Sequence, residues 1–409
     1  MAANVQQLRI EPVHPADPQN FYDGSWKSLF AQLRREDPIH FTAESPYGPY
    51  WSITRYNDLV EADLDTTNYS SKSELGGVTV EDLPPGANRE SFIRMDPPEH
   101  TAKRKAAAPI VTPTSLAALE GLVRERTRNV LDGLPRNETF DWVQRLSIPL
   151  TTMMLATLTD FPWEDRQKLT WWSDVIVADI NSPEAIIHSE EERLQHFGDM
   201  AAYFRKLWNQ RAKEPPKFDL ISMLAHSDAT KNMSEMEFLG TLTLMISGGN
   251  DTTRNTMSAS LINLCDNPEQ FELLRSRHDL VTALVYETVR FHSPVLHMRR
   301  TTTADVELGG RAIPKGSKVA LWFISGNRDE TKFDDPDSFR IDRAKPRAHI
   351  GFGTGVHRCL GERIAELQLR VLWEEILQRD LRFEKLAPPL MLYSNVLHGV
   401  RSLPVRIVR

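Results

Sequence analysis

Cysteine is nearly absent: Cys265 and Cys359 are the only two in 409 residues. Two thiols cannot build a disulfide framework or a four-thiolate zinc site, so a cysteine that matters here acts alone. No run approaches the ~18 apolar residues that span a bilayer, and residues 1–18 are polar and proline-containing, without the apolar core of a signal peptide. The chain is therefore expected to have no membrane span and to be cytoplasmic. An excess of positive charge is missing too. Lys plus Arg total 49 against 56 Asp plus Glu, a formal charge of −7, and nothing globally basic calls for nucleic acid. No linker, low-complexity block or internal repeat divides the chain. At roughly 150 residues per domain two or three domains are allowed; the missing boundaries favour one domain over 1–409, with a monomer as the default.

What is present is an ordinary globular mixture, 40% hydrophobic and 26% charged. Residues 36–42 and 50–54 read as short strands around Tyr47-Gly48-Pro49. The resulting β-rich part, about 36–65, is expected to pack on a helical body. Helical patterns lie near 57–65, 98–105, 115–134 and 146–158, then from 165 to 213 with a break at 181–183. A long Gly/Pro-rich loop occupies 70–94, a length that is usually functional or disordered. Ser234-x-x-Glu237 forms a capping box that opens a long helix to about Cys265. Helices at 280–291 and 361–379, strands at 305–308 and 318–323, and a strand-like alternation over 391–409 complete a mainly α fold with small β-sheets.

Phe352-Gly353-Thr354-Gly355-Val356-His357-Arg358-Cys359-Leu360-Gly361 is the most informative stretch. Two glycines two apart allow a tight turn. A thiolate just before a helix faces backbone N–H groups and the positive end of the dipole. Gly361 keeps bulk away from the sulfur, where a flat macrocycle could approach. A lone cysteine is ordinarily an inert core residue, as Cys265 is expected to be. The decapeptide, however, resembles the haem-binding signature of the cytochrome P450 family, F-G-x-G-x-H-x-C-x-G, at all six specified positions. The resemblance implies haem b as cofactor, Cys359 as axial ligand of its iron, and Phe352, Gly353 and Gly361 in the haem-binding loop. It also implies the family's fold, with haem between the long central helix and the cysteine-loop helix.

Three further motifs follow in the family's order. Glu287 and Arg290 stand three apart on one helical face, about seventy residues before the cysteine. An isolated Glu-x-x-Arg is usually a surface pair; here it resembles the family's structural pair, which locks to an arginine of the following meander, matched by Arg340. Gly248-Gly249-Asn250-Asp251-Thr252-Thr253 lies in mid-helix, where each glycine costs roughly 1 kcal/mol against alanine. These glycines permit close approach of a ligand and local widening, and Thr252 can bond back to the Gly248 carbonyl or offer its hydroxyl to a ligand. By resemblance to the family's oxygen-binding groove, Gly248 borders the haem, Asp251 relays protons, and Thr252 steadies the activated oxygen so that O–O cleavage outruns loss of peroxide. His100 and Arg104 share a helical face suited to a carboxylate. The resemblance assigns them, with His357 and Arg300, to the haem propionates; Arg299 could take the place of Arg300.

The resemblance spans nearly the whole chain and implies a monooxygenase that needs O2 and two electrons. No flavin or iron–sulfur module is visible, so a ferredoxin and an NAD(P)H-dependent ferredoxin reductase are the implied partners. Lys103, Lys105, Arg358 and Arg363 are candidates for a basic docking patch. Residues 47–59, 248–258, 295–301 and 361–377 look most like the bacterial alkane terminal-hydroxylase group, implying oxidation of the terminal carbon of a medium-chain alkane or fatty acid. Expected pocket walls are the 76–94 loop, 175–187, 242–245, 295–296 and 395–397, with Leu242, Leu244, Val295, Leu296 and Val396 as contacts for a small apolar substrate. An isoprenoid or aromatic substrate is the alternative. A peroxide-dependent peroxygenase would not need the Asp251–Thr252 pair, and a non-catalytic haem or lipid carrier would lose nothing on Thr252→Ala.

Overall fold

The computed structural model describes residues 14–82 and 89–408. Its centre is one helix, Glu235–Asp266. Ser234 caps it as expected, its hydroxyl accepting from the Glu237 N–H, but the Glu237 carboxylate binds Lys103 instead of closing the expected box. More than half its length is buried, because polar residues such as Asn250, Ser258 and Ser260 find partners inside the fold or bond back to their own helix. Two apolar clusters close on it. Met257, Leu261 and Leu264 meet Leu284 and Val285 of helix Val281–His292. The same cluster takes Leu369, Leu372 and Trp373 of helix Glu362–Gln378 and Val405 of the C-terminal strand. The Trp373 indole N–H donates to Ser260 Oγ at 2.9 Å. On the opposite side, Leu242 and Ile246 enter a second cluster with Trp172, Phe204 and Trp208, from helices Gln167–Val177 and Glu190–Arg211.

The sheets sit at the edge. Strands Ile39–Thr42 and Tyr50–Ile53 form an antiparallel hairpin, and the second runs parallel to Lys318–Leu321. Met298–Thr302 and Tyr69–Ser70 complete that five-stranded sheet. The N-terminal strands thus pair with strands from the second half of the chain and carry Arg300 with them. The C-terminal strand Pro404–Ile407 pairs with Thr139–Asp141 and Phe383–Lys385.

Among the described residues five helices lie outside the expected set: Pro18–Asp23, Trp26–Glu36, Leu220–His226, Pro268–Ser276 and the short Phe323–Gly326. Three carried a readable start signal, an Asp17 or Asp219 cap or a proline at the first turn. The long loop is less irregular than its composition suggests, with 3₁₀ turns at Ser73–Leu75 and Phe92–Arg94; residues 83–88 of it, like 1–13, lie outside the described residues. The widened turn expected at Gly248–Thr253 is absent. The central helix runs through that stretch unbroken, since Ser247, Thr252 and Thr256 each give a hydroxyl to the carbonyl four residues back without opening the ladder.

Candidate active site

The central and cysteine helices touch at Ser260–Trp373, and both lose cover when followed back toward their N-termini. On the central helix this leaves Leu244, Gly248 and Thr252, spaced by four and therefore on one face, incompletely covered. Gly248 is exposed, with nothing within 4 Å of the Cβ it lacks. Its neighbour has a different role: a Cβ on Gly249 would come 3.1 Å from Leu155 Cδ1, so that glycine serves helix packing.

Before the cysteine helix, Gly353 and Gly355 adopt φ of +69° and +55°, a region only glycine enters freely. The loop they make is closed by the Cys359 N–H donating to the Phe352 carbonyl at 2.7 Å. Cys359 opens into the cleft. Its sulfur receives backbone N–H groups of Gly361 and Glu362, while its depth in the fold pushes the thiol pKa up. A Cβ on Gly361 would stand 3.9 Å from that sulfur. Among the described residues there is no cluster of three or more His, Cys, Asp or Glu able to hold a metal.

Beside the loop lies a group of cationic and imidazole donors, some of whose nitrogens have no acceptor. The His100 and His357 rings are 4.5 Å apart, and both nitrogens of His100 and Nε2 of His357 are buried without a partner. Burial, then the charges of Arg300 and Arg104, holds His357 far below the usual imidazole range; burial and Arg104 lower His100. Arg104 donates to the Arg358 carbonyl at 2.5 Å, which fixes it against the cysteine loop. Two guanidiniums and two unpartnered imidazoles call for carboxylates. A flat macrocycle carrying two of them, over a thiolate flanked by glycine, satisfies this set: the residues fit haem. The choice between neighbouring arginines is also resolved in space. Arg299 turns to the other side of its strand, to Asp82 and the Leu75 carbonyl, and Arg300 is the one beside the histidines.

Asp251 is fully buried. It pairs with Arg254, which also holds Asp174 at 2.9 Å, and it accepts from Ser173 Oγ at 2.8 Å. Burial outweighs Arg254 and pushes its carboxyl up to about 7. Thr252 donates to the Gly248 carbonyl at 3.1 Å and is partly exposed on the open strip. Arg254, Ser173 and Asp174 were not singled out from the sequence. Arg254 had a signal, its spacing of three from Asp251, whereas Ser173 and Asp174 had none.

Glu287 and Arg290 pair at 2.7 Å, each with 1% of its side chain exposed. The meander arginine is Arg343, not Arg340: Arg343 Nε donates to Glu287 Oε1 at 3.0 Å, while Arg340 gives only its backbone N–H and turns its side chain to Asp342. They stand three positions apart, and the turn of the chain there puts Arg343 inward. Among the expected substrate contacts, Leu244, Val295 and Val396 keep some exposure, and Val295 forms an isolated bridge with Leu397. Leu242 lies roughly 200° around the helix from Leu244 and is buried in the apolar cluster with Trp208. Leu296 is fully buried against Trp322 and Phe30. Of the basic candidates, Lys105 and Arg363 are exposed, Arg358 is tied to Glu362, and Lys103 is bound to Glu237 of the central helix.

The loop's fit to haem is matched by comparison with known proteins. The model of the family described as Cytochrome P450 matches residues 184–397. The chain belongs to the cytochrome P450 family. Linalool 8-monooxygenase of Pseudomonas putida is 36% identical over 93% of this chain and 95% of its own. The solved structures of Cytochrome P450-153 from Novosphingobium aromaticivorans and CYP153D17 from Sphingomonas sp. both superpose with a TM-score of 0.90. The first is 41% identical, covering 97% of this chain and 100% of that one; the second is 43% identical, covering 96% and 98%. This P450 is thus a haem-dependent monooxygenase acting on an apolar substrate, near the 153 group of bacterial members. Among the described residues no single helix is long and apolar enough to cross a membrane.

Proposed function

We propose that this P450 hydroxylates the terminal carbon of a medium-chain alkane or fatty acid, with electrons delivered from NAD(P)H through a reductase and a ferredoxin. The observation that carries the reading is the open strip Leu244–Gly248–Thr252, with half-buried Val295 and Val396 as apolar candidates for the facing wall. Such a site holds a hydrocarbon by shape and offers it no charge. The likeness of residues 47–59, 248–258, 295–301 and 361–377 to the alkane terminal-hydroxylase group supports the same substrate.

In this reading Cys359 ligates the iron, and His100, Arg104, Arg300 and His357 take the propionates. Gly248 leaves room above the ring, with Phe352, Gly353 and Gly361 shaping the loop below. Bound haem supplies the iron that activates O2 and inserts one oxygen atom into a C–H bond. The chain's own contribution is proton control. Asp251 holds a proton near neutrality in a place water does not reach, and Thr252 carries a hydroxyl into the cleft one residue on. Glu287, Arg290 and Arg343 hold the meander in front of the cysteine loop.

Titration of the ferric enzyme with alkanes and fatty acids of graded length is expected to give a high-spin shift, and reconstituted turnover is expected to give the terminal alcohol. Linalool belongs in the same experiment, because an isoprenoid is what the curated relative's name states. Tight binding and turnover of linalool with no response to any alkane or fatty acid would replace this reading with the isoprenoid one.

A further inference from the structure

We propose that Asp63 is a positioning residue that fixes the propionate arginine and the cysteine loop to one another. Asp63 lies in the last turn of helix Tyr56–Leu64 and is 2% exposed, although no haem-binding motif includes it. One carboxylate oxygen, Oδ1, accepts from Arg300 Nη2 at 2.7 Å. The other, Oδ2, accepts from the Thr354 N–H at 2.9 Å and from Thr354 Oγ1 at 2.6 Å. Thr354 stands between Gly353 and Gly355, the two positive-φ glycines of the loop. The loop also closes sterically on the helix end, where a Cβ on Gly355 would sit 3.4 Å from the Asp63 carbonyl and 3.1 Å from Leu64 Cδ2. A single buried side chain therefore joins a helix, a strand and the loop ending at Cys359, across 237 and 291 residues of sequence.

The arrangement does two separable things. The Thr354 arm holds the loop, and with it the height and tilt of the Cys359 sulfur. The Arg300 arm orients a guanidinium whose second Nη is spent on the Arg299 carbonyl at 2.8 Å and whose charge acts on His357 and His100. Asp63 also sets the local charge. Arg300 and Arg104 bring two positive charges to the propionate side, and Asp63 cancels one. Without it the surroundings of the haem are more positive, which favours the reduced iron.

The test uses holoenzyme of Asp63→Asn and Thr354→Val. Asp63→Asn is expected to shift the ferric/ferrous midpoint potential in the positive direction and to speed haem loss to apomyoglobin roughly ten- to a hundredfold, the usual scale for an outer partner of a metal site. Its reduced–CO band is expected to move partly from the thiolate-ligated position to shorter wavelength. Thr354→Val keeps both charges and is expected to speed haem loss and move the band while leaving the potential unchanged. An Asp63→Asn holoenzyme that matches the parent in potential, haem loss and CO band overturns the proposal. Should Asp63→Asn yield no holoenzyme, Thr354→Val decides alone, and parental haem loss in that variant overturns it. None of these readouts depends on which substrate the enzyme takes.

Discussion

Asp251 keeps its proton to unusually high pH because its carboxylate would stand in a fully buried site where Arg254 is its closest compensation. Burial raises the folded-state pKa to about 7, so the acid form predominates below that value and is lost above it. If Asp251 feeds protons to the cleft, turnover of the parent falls as pH rises through about 7. Asp251→Asn is expected to turn over roughly a hundredfold more slowly and without that inflection. Steady-state rates from pH 6 to 8.5 at saturating substrate check both statements; a variant with the parental profile would remove Asp251 from proton delivery. Thr252→Ala tests the neighbouring hydroxyl in a different currency. Haem content stays at the parental level, while the ratio of product formed to O2 consumed drops, measured with an oxygen electrode and product quantitation together.

Glu287 shows how one side chain ties an element to its neighbours. Its carboxylate receives two bonds from Arg290, one from Arg343 and the Arg340 N–H, while Arg290 spends its other donors on the Asn327, Pro336 and Ser338 carbonyls. Removing the charge of one partner leaves the others buried without a counterion, a loss of roughly 3–5 kcal/mol. Glu287→Gln is accordingly expected to lose haem-loaded soluble protein, read as the Soret-to-protein absorbance ratio after purification. The far end of the same helix is fastened differently. His292 and His398 stack at 4.2 Å, each bonded to the other's backbone carbonyl, and His398 is held down to about 4 by burial. His297 nearby is also lowered to about 4, again chiefly by burial. Both depressed imidazoles are neutral in the fold, so their contribution is whole above about pH 6.5 and fades as pH falls toward 4. Each is expected to cost about 1.5 kcal/mol between pH 6.5 and 5, seen as a lower urea midpoint that recovers on neutralisation.

At the scale of the whole molecule, the sequence exposed the parts whose partners are near in the chain and concealed those whose partners are far. The cysteine loop, the Asp251–Thr252 pair and the Glu287–Arg290 pair are each written within ten residues. The central helix announced itself through Ser234 and Glu237. Asp63 and Ser173 carry no such mark, because what makes them important arrives from other segments of the fold. Arg343 and Arg340 were indistinguishable until the meander was folded, and Leu242 and Leu244 until the helix had a face. The candidate basic patch was read poorly for the same reason: Lys103 is consumed by Glu237. Lys105→Glu with Arg363→Glu is expected to weaken ferredoxin-supported turnover several-fold, with a flatter salt dependence, and to leave peroxide-supported product formation at the parental rate. Equal losses with both electron sources would place these residues outside the electron path.

The ribbon formed by residues 292–298 and 395–398 has a consequence for how this enzyme tolerates change. Val295 bridges Leu397, the Leu296 N–H donates to the Val396 carbonyl, the His398 N–H donates to the Pro294 carbonyl, and His297 bonds the Asn395 carbonyl. Val295 and Val396 therefore cannot retreat without dragging helix Val281–His292 and its buried Glu287. Leu244, the candidate on the central helix, has no such tie and can adjust by side-chain rotation. Substrate size should then be adaptable from one side only: a library that varies Leu244 should yield enzymes with altered chain-length preference, and one that varies Val295 or Val396 should mostly yield enzymes that no longer hold together.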